Sequence, residues 1–286
     1  MAEAVMHELV DLARYPITSP GSPLGIDLSD RLRGTLRERG VCRLEGFLTS
    51  SAVQRIVDEL SSIEELAYYG LKQATPYFND VDPRFDADHP RNMTTPRELG
   101  LIGAHLIPEE SSLKRLYASA ELRDFLAAIL EERRLYQIED PYQTVSVTVM
   151  PEGAGHNWHF DDSDFTITLM LRKPERGGDF ECVPNLRSPT DENYDGVRAV
   201  LRGQRDLVQV VPFEPGTLMI FRGIYSLHRV SPVRGSMARL IAIFSYSTQP
   251  GWTGTAYVNE AVYGLRAAAR TNPPSADSKI PLSVAD

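Results

Sequence analysis

The stretch GHNWHFDDSDFTITLMLR, residues 155–172, holds two histidines and three aspartates directly ahead of an alternating, β-branched run. The run from Asp164 to Arg172 has the period of two that marks a buried strand. Working outward, the same signal recurs at short intervals. YQTVSVTVMP (142–151), GGDFECVP (177–184), DLVQVVPF (206–213), GTLMIFRG (216–223), SLHRVSPV (226–233) and ARLIAIFSYST (238–248) each read as a strand bounded by turn residues. Short strands in such succession predict an antiparallel sandwich or jelly roll. A polar, helix-capable insertion, residues 185–205, interrupts the series, and a long insertion on a rigid β scaffold suits a lid or binding loop.

Upstream of about residue 138 the character is helical. Residues 29–40 predict a helix capped by Ser29 and stopped by Gly40. VCRLEGFL (41–48) reads as a short strand, 49–70 as a helix ending at Gly70, and 106–132 as two helices starting near Pro108 and near Ser119–Glu121. The expectation is α+β: one domain over residues 1–270, with a helical layer to about 137 and a β core over about 138–250. A split into two domains near 138 is the competing reading, and no linker composition marks it. Residues 271–286 have the composition of a flexible tail.

The chain has 286 residues, a formal charge of −9 and two cysteines. An acidic surface argues against nucleic acid as a partner. No apolar run reaches membrane-spanning length, and the N-terminus lacks the basic and apolar regions of a signal peptide. Cys42 and Cys182 form no CxxC pair and read as buried small hydrophobes. The expected setting is the cytoplasm, as a monomer or homodimer acting on a small molecule.

His159 and Asp161 stand at i and i+2, so on a strand both would project from one face with Phe160 turned away. His228 lies 69 residues further on, on a later strand. Two imidazoles and a carboxylate leave open positions on a metal, the ligand set of a non-haem Fe(II) site. His-x-Asp alone also fits an ordinary polar strand end. Arg239, eleven residues past His228, opens a strongly apolar strand where an unpaired charge would be costly, and its guanidinium could fork onto a carboxylate.

The set HFD, GTLMIFRG, LHRVSPV and Arg239 resembles the Fe(II)/2-oxoglutarate-dependent oxygenases, whose core is a double-stranded β-helix. The resemblance covers roughly residues 140–250. It implies that His159, Asp161 and His228 bind Fe(II), that Arg239 holds the distal carboxylate of 2-oxoglutarate, and that O2 is the second cosubstrate. Relatives often carry a hydroxyl two places after that arginine. Ile241 stands there, so Thr168, or its neighbour Thr166, is the candidate hydroxyl.

A wider resemblance rests on DLARYPI, GFL, NWHFD, FECVPNLRS, ENYDGV and AIFSYSTQPG. It is to the carrier-free amino-acid halogenases and their hydroxylase cousins. Those halogenases have a small residue in place of the carboxylate ligand, which leaves room for chloride. Asp161 therefore implies hydroxylation. By the same resemblance His156, Asp162, Trp252 and Arg91 would meet the substrate, Arg91 its carboxylate and Asp162 its ammonium. The implied activity is hydroxylation of an unactivated C–H of a free amino acid. Desaturation, oxidative cyclisation and a larger secondary metabolite as substrate stay open. So do a non-catalytic jelly-roll binding protein and a metal enzyme independent of 2-oxoglutarate.

Overall fold

The alternating run of the opening stretch forms a central strand of the larger of two six-stranded antiparallel sheets. The structure, a computed structural model, describes residues 2–264. Its first half comprises helix α1 (Ala2–Leu9), helix α2 (Pro23–Arg39), strand β1 (Val41–Leu44), helix α3 (Ser50–Ser61) and strands β2 (Gln73–Ala74), β3 (Thr95–Glu98) and β4 (Gly100–Ile102). Helices α4 (Ser112–Ala118) and α5 (Ala120–Leu130) and strand β5 (Tyr136–Gln137) follow. The β-rich part then runs β6 (Val145–Met150), β7 (Gly155–His159), β8 (Thr166–Arg172), β9 (Arg176–Gly177), β10 (Phe180–Val183), helix α6 (Tyr194–Leu201), β11 (Gln209–Val211), β12 (Leu218–Phe221), β13 (Leu227–Val230), β14 (Val233–Arg234), β15 (Arg239–Phe244) and β16 (Tyr246–Ser247). Helix α7 (Ala256–Tyr263) closes the described chain.

The larger sheet has the order β1-β12-β8-β15-β6-β4 and the smaller β11-β10-β13-β7-β3-β2. From β6 onward the chain crosses between them repeatedly, the topology of a double-stranded β-helix. Alternation sorts the larger sheet's side chains onto two faces. Val145, Val147, Val149, Ile167, Leu169, Leu171, Leu240, Ala242 and Phe244 join one core with the helices α1–α5. Met150, Met170, Met219, Phe221 and Ile241 point the other way, into a second core shared with the smaller sheet. The candidate side chains His228 and Arg239 lie in that second layer, His228 edge-on to Phe221 and Arg239 against Met150.

Several boundaries differ from the sequence reading. Helix α2 starts at Ser22-Pro23 rather than Ser29. The Ser22 hydroxyl accepts from Gly25 N and Pro23 opens the first turn, a stronger start signal than a mid-helix serine. It stops at Gly40, φ 66°, as expected. Helix α3 ends at Ser61, not Gly70, where consecutive serines compete with the helical backbone. The predicted cap Ser119 is found, accepting from Leu122 N. The first half is less purely helical than expected, because β1, β3 and β4 all pair into the two sheets. Pro96 and Gly100 hide β3 and β4 from a pattern search. Cys42 and Cys182 are buried free thiols, and burial pushes each up to about 12. The tail expected at 271–286 lies outside the described residues. Among these, no helix is long and apolar enough to cross a membrane.

Candidate metal centre and active site

Strands β7 and β13 pair with His159 opposite His228, so two imidazoles face the inner layer side by side, ring centroids 4.1 Å apart. Each ring is aimed by its own backbone. His159 Nδ1 donates to Asn157 O at 2.7 Å and His228 Nδ1 to Ser226 O at 2.8 Å. This fixes the tautomer and leaves both Nε2 lone pairs directed at one point. Burial, with His156 and His228 alongside, keeps His159 well below the usual imidazole range, so its ring is neutral and able to ligate. Asp161 follows the end of β7, its N–H donating to Gly223 O while Phe160 turns outward into a separate apolar cluster. Asp161 Oδ1 lies 3.7 Å from His159 Nε2 and 3.4 Å from His228 Nε2. Ligands about 2.0–2.2 Å from one ion stand at such separations. Two ring nitrogens and one hard oxygen, all within 4.8 Å of one another, suit Fe(II).

The carboxylate sits in a made-to-measure recess. The Thr166 hydroxyl donates to Asp161 Oδ2 at 2.5 Å, leaving Oδ1 for an ion. A Cβ at Gly223 would come within 1.9 Å of Oδ2, so only glycine fits opposite this aspartate. Burial alone would raise the Asp161 carboxyl. His228, His159 and Thr166 outweigh it and hold the group below the usual carboxylate range.

Arg239 lies deeper along the same inner face. It is 1 % exposed. Its Nε and Nη2 have no partner, and Nη1 makes only a 4.0 Å contact with Met150 Sδ. Burial pushes it down to about 10, against the opposing pull of Asp179. Gly178 allows the approach, since a Cβ there would meet Arg239 Cδ at 3.0 Å. A buried, charged fork with empty donors fits a bidentate carboxylate. Thr168 is buried on the same face with an unpartnered hydroxyl, and so is Thr148. Thr148 pairs with Ile241 and Thr168 with Ile243, so Thr148 stands two residues, about 7 Å of strand, nearer Arg239. Thr166 is committed to Asp161.

The four expected substrate residues separate. His156 joins the inner group through a β-bulge. Between His228 and Val230 the pairing skips one residue of β7, which turns His156 onto the same face as His159 instead of the opposite one. The two rings stack at 3.6 Å, and His156 Nε2 is buried without a partner. Asp162 is exposed next to Asp161, and partial desolvation followed by Asp161 raises its carboxyl, with Arg187 opposing. Arg91 lies on the outer side of β7. Its guanidinium sits over Tyr77, which packs on Phe160, and Nη1 donates to Tyr194 Oη at 3.3 Å. Trp252 is 45 % exposed on the loop after β16, next to Gly251 (φ 73°), with its carbonyl accepting from Glu139 N.

The inner arginine that the sequence reading missed is Arg97. It pairs with His156 across β3 and β7 and is 7 % exposed. Its side chain makes one long bond, Nη1 to Leu71 O at 3.4 Å. Burial pushes it down to about 10, with Tyr263 opposing. The signal was the alternation Thr95-Pro-Arg97, which the proline disguised as a loop. The insertion 185–205 also differs from expectation. Helix α6 packs Val197 and Val200 against Trp158, Phe160 and Leu227 on the outer face of the smaller sheet, so it braces the strands that carry His159 and His228 rather than covering the inner layer. Its start is held to residues 85–91 by Phe85 stacked on His89 and His89 edge-on to Tyr194, and its end by Arg202 to Asp88.

The sequence model of the halogenase D family matches residues 26–263. No curated protein is significantly similar in sequence. Among solved structures, the non-haem α-ketoglutarate-dependent carbocyclase SnoK from nogalamycin biosynthesis superposes with a TM-score of 0.53 at 13 % identity, covering 77 % of this chain and 84 % of that one. AviO1 from Streptomyces viridochromogenes gives 0.51 at 17 % identity, with 78 % and 95 % covered. A 2OG-Fe(II) oxygenase family oxidoreductase from Burkholderia pseudomallei gives 0.50 at 16 % identity, with 78 % and 92 % covered. At these identities the likeness establishes the shared jelly-roll fold. The chain belongs to the halogenase D family.

Proposed function

We propose that this member of the halogenase D family is an Fe(II)- and 2-oxoglutarate-dependent oxygenase that hydroxylates an unactivated C–H of a free amino acid. The observation that carries the reading is the Asp161 carboxylate seated between two aimed imidazoles, with Thr166 and Gly223 shaped around it. It fills the position that a halide would need, which favours hydroxylation over halogenation. His159, Asp161 and His228 would hold the iron, and Arg239 the distal carboxylate of 2-oxoglutarate, with Thr168 or Thr148 as its hydroxyl partner. Iron with 2-oxoglutarate and O2 supplies the oxidising power, coupling the cosubstrate's decarboxylation to succinate with cleavage of the substrate C–H.

The chain's own residues bind and orient. Arg97, short of hydrogen bonds beside His156, is placed for a substrate carboxylate, in the role first expected of Arg91. Asp162 is placed for the ammonium. Charge-assisted bonds at both ends would fix which carbon faces the metal. Phe78, edge-on to His159 at 5.5 Å, closes the near side with apolar surface and keeps water from the centre.

The test is a mass-spectrometric screen of Fe(II)-loaded protein with 2-oxoglutarate, O2, chloride and a panel of amino acids. One added oxygen with matching succinate is the expected result. A chlorinated product would overturn the reading of Asp161. Succinate no higher than the substrate-free background for every amino acid would overturn the free amino acid as substrate. In the same assay Arg239→Ala should raise the KM for 2-oxoglutarate more than tenfold while leaving that for the amino acid nearly unchanged. Equal effects would remove Arg239 from the cosubstrate site.

A further inference from the structure

The near side of the inner layer is closed by a residue in a backbone conformation that aromatic side chains rarely adopt. Among the described residues, four other than glycine have positive φ: Phe78, Glu131, Asn185 and Asn193. Glu131 and Asn193 cap helices, and asparagine tolerates the left-handed region. Phe78, at φ 52°, is a bulky side chain outside any helix cap. Such strain at the border of a site marks a switch position.

The turn that holds Phe78 is tied at its base. Thr75 is buried, its carbonyl accepts from Phe78 N at 3.1 Å, and its hydroxyl accepts from Asn79 N at 3.2 Å. Pro76 O accepts from Phe160 N at 2.8 Å, which fastens the turn between His159 and Asp161. The loop that follows is a unit of its own, because Asn92 Nδ2 donates to the carbonyls of Asp82, Phe85 and Asp86. The Phe78 ring is less secured. It is only partly buried, 5.5 Å from the His159 ring and 6.1 Å from that of His156. Behind it stand groups short of partners: His156 Nε2 has none, and Arg97 makes one long bond. The space bounded by Phe78, Arg97, His156 and His159 is too small for a water molecule. A carboxylate is larger still, so none reaches Arg97 from this side while the ring stays in place.

We propose that Phe78 is a gate: its ring swings off His156 and His159 to admit a small carboxylate to Arg97, then returns and shuts water out. The inference rests on Arg97 as the carboxylate's partner, as read above, and adds how that partner is reached.

The test reads the gate at His156. Full-length protein with Fe(II) and 2-oxoglutarate is treated anaerobically with diethyl pyrocarbonate, and each histidine's carbethoxylation is followed by peptide mass spectrometry. Exposed His7 sets the rate of an open imidazole. Alkylation of the buried thiols Cys42 and Cys182, in a parallel sample, reports loosening of the whole fold. His156 should react at least about tenfold more slowly than His7, the open form being the minor one. Phe78→Gly, which suits the left-handed turn and removes the ring, should speed His156 about tenfold or more and leave the thiols unchanged. His156 untouched in the wild type after His7 has reacted fully would show a fixed wall. Equal His156 rates in wild type and variant would show another route, and a matching acceleration of the thiols a loosened fold. Each of these three results overturns the gate. No substrate enters the assay, so the gate stands or falls apart from the reading of Arg97. Rapid modification of His159 and His228 would count against the iron site and leave the His156 comparison standing.

Discussion

The two sheets of the sandwich share a topology and differ in finish. In the larger, β6 and β15 pair without a break over the six positions from Val145 opposite Phe244 to Met150 opposite Arg239, and a single register shift falls between β15 and β8 at Leu240 and Ile241. One of its faces is sealed by the helices around Phe47, Ile56 and Phe125. In the smaller, strands are short, the β7–β13 pairing is bulged, and the outer face carries Arg229 over Trp158 and Arg187 over Phe160. The regular sheet supplies the floor and the buried cation Arg239. The irregular one supplies the three imidazoles. Regular pairing fixes side chains at alternate positions. A site that needs His156 and His159 on one face, three residues apart, requires the alternation to be broken where they sit. Stability is thus concentrated in one sheet and aim in the other.

That division can be broken at either end. The largest effect belongs to the proposed ligands: His228→Ala should abolish amino-acid-dependent succinate formation, and Asp161→Gly should abolish the hydroxylated product, each a loss of more than about a thousandfold. Near-normal turnover in either variant would dissolve the distinction. Phe125→Ala, in the helical layer behind the regular sheet, should cost about 3–5 kcal/mol of unfolding free energy. Its Fe(II) affinity, measured on protein that remains folded, should be unchanged. Gly223→Ala should do the reverse, keeping the melting temperature within a few degrees while weakening metal binding about 10- to 100-fold, because the new methyl collides with Asp161. The smallest effect lies on the outer face of the irregular sheet. Burial would raise the Glu181 carboxyl, but its bonds to Arg205 and Arg229 lower it. Its stabilising contribution should be present above the ordinary glutamate value and fade as the pH falls through the lowered one. Glu181→Gln should remove that acid-side slope, a difference of about 1 kcal/mol or less, readable by denaturant titration at several pH values.

The same contrast explains what could be read in advance. Strands of the regular sheet announced themselves: DFTITLMLR, GTLMIFRG and ARLIAIFSYST yielded β8, β12 and β15 because each is a run of mostly apolar and β-branched residues bounded by turn signals. The centre was legible as residue types, since His159, Asp161 and His228 do converge. Its irregular parts were not. A bulge is invisible to a period-two template, so His156 was expected near the site without a geometric reason. Arg97 lay behind a proline and Arg91 in a loop whose path no local pattern dictates. Gly223 looked like a strand terminator, because a glycine kept for a neighbour's carboxylate is written the same way as one kept for a turn.

The recess around Asp161 also bears on how such a chain can change through descent. Aspartate and glycine codons differ by one nucleotide. Gly223 already stands clear, so losing the carboxylate at 161 creates no clash and requires no repacking. The Thr166 hydroxyl would then lose its acceptor and point into the gap. On the proposed reading an alternative coordination chemistry lies a single mutation away, whereas a side chain at position 223 would collide with the Asp161 carboxylate. The evolutionary reach of this scaffold is set less by the ligand itself than by the glycine opposite it.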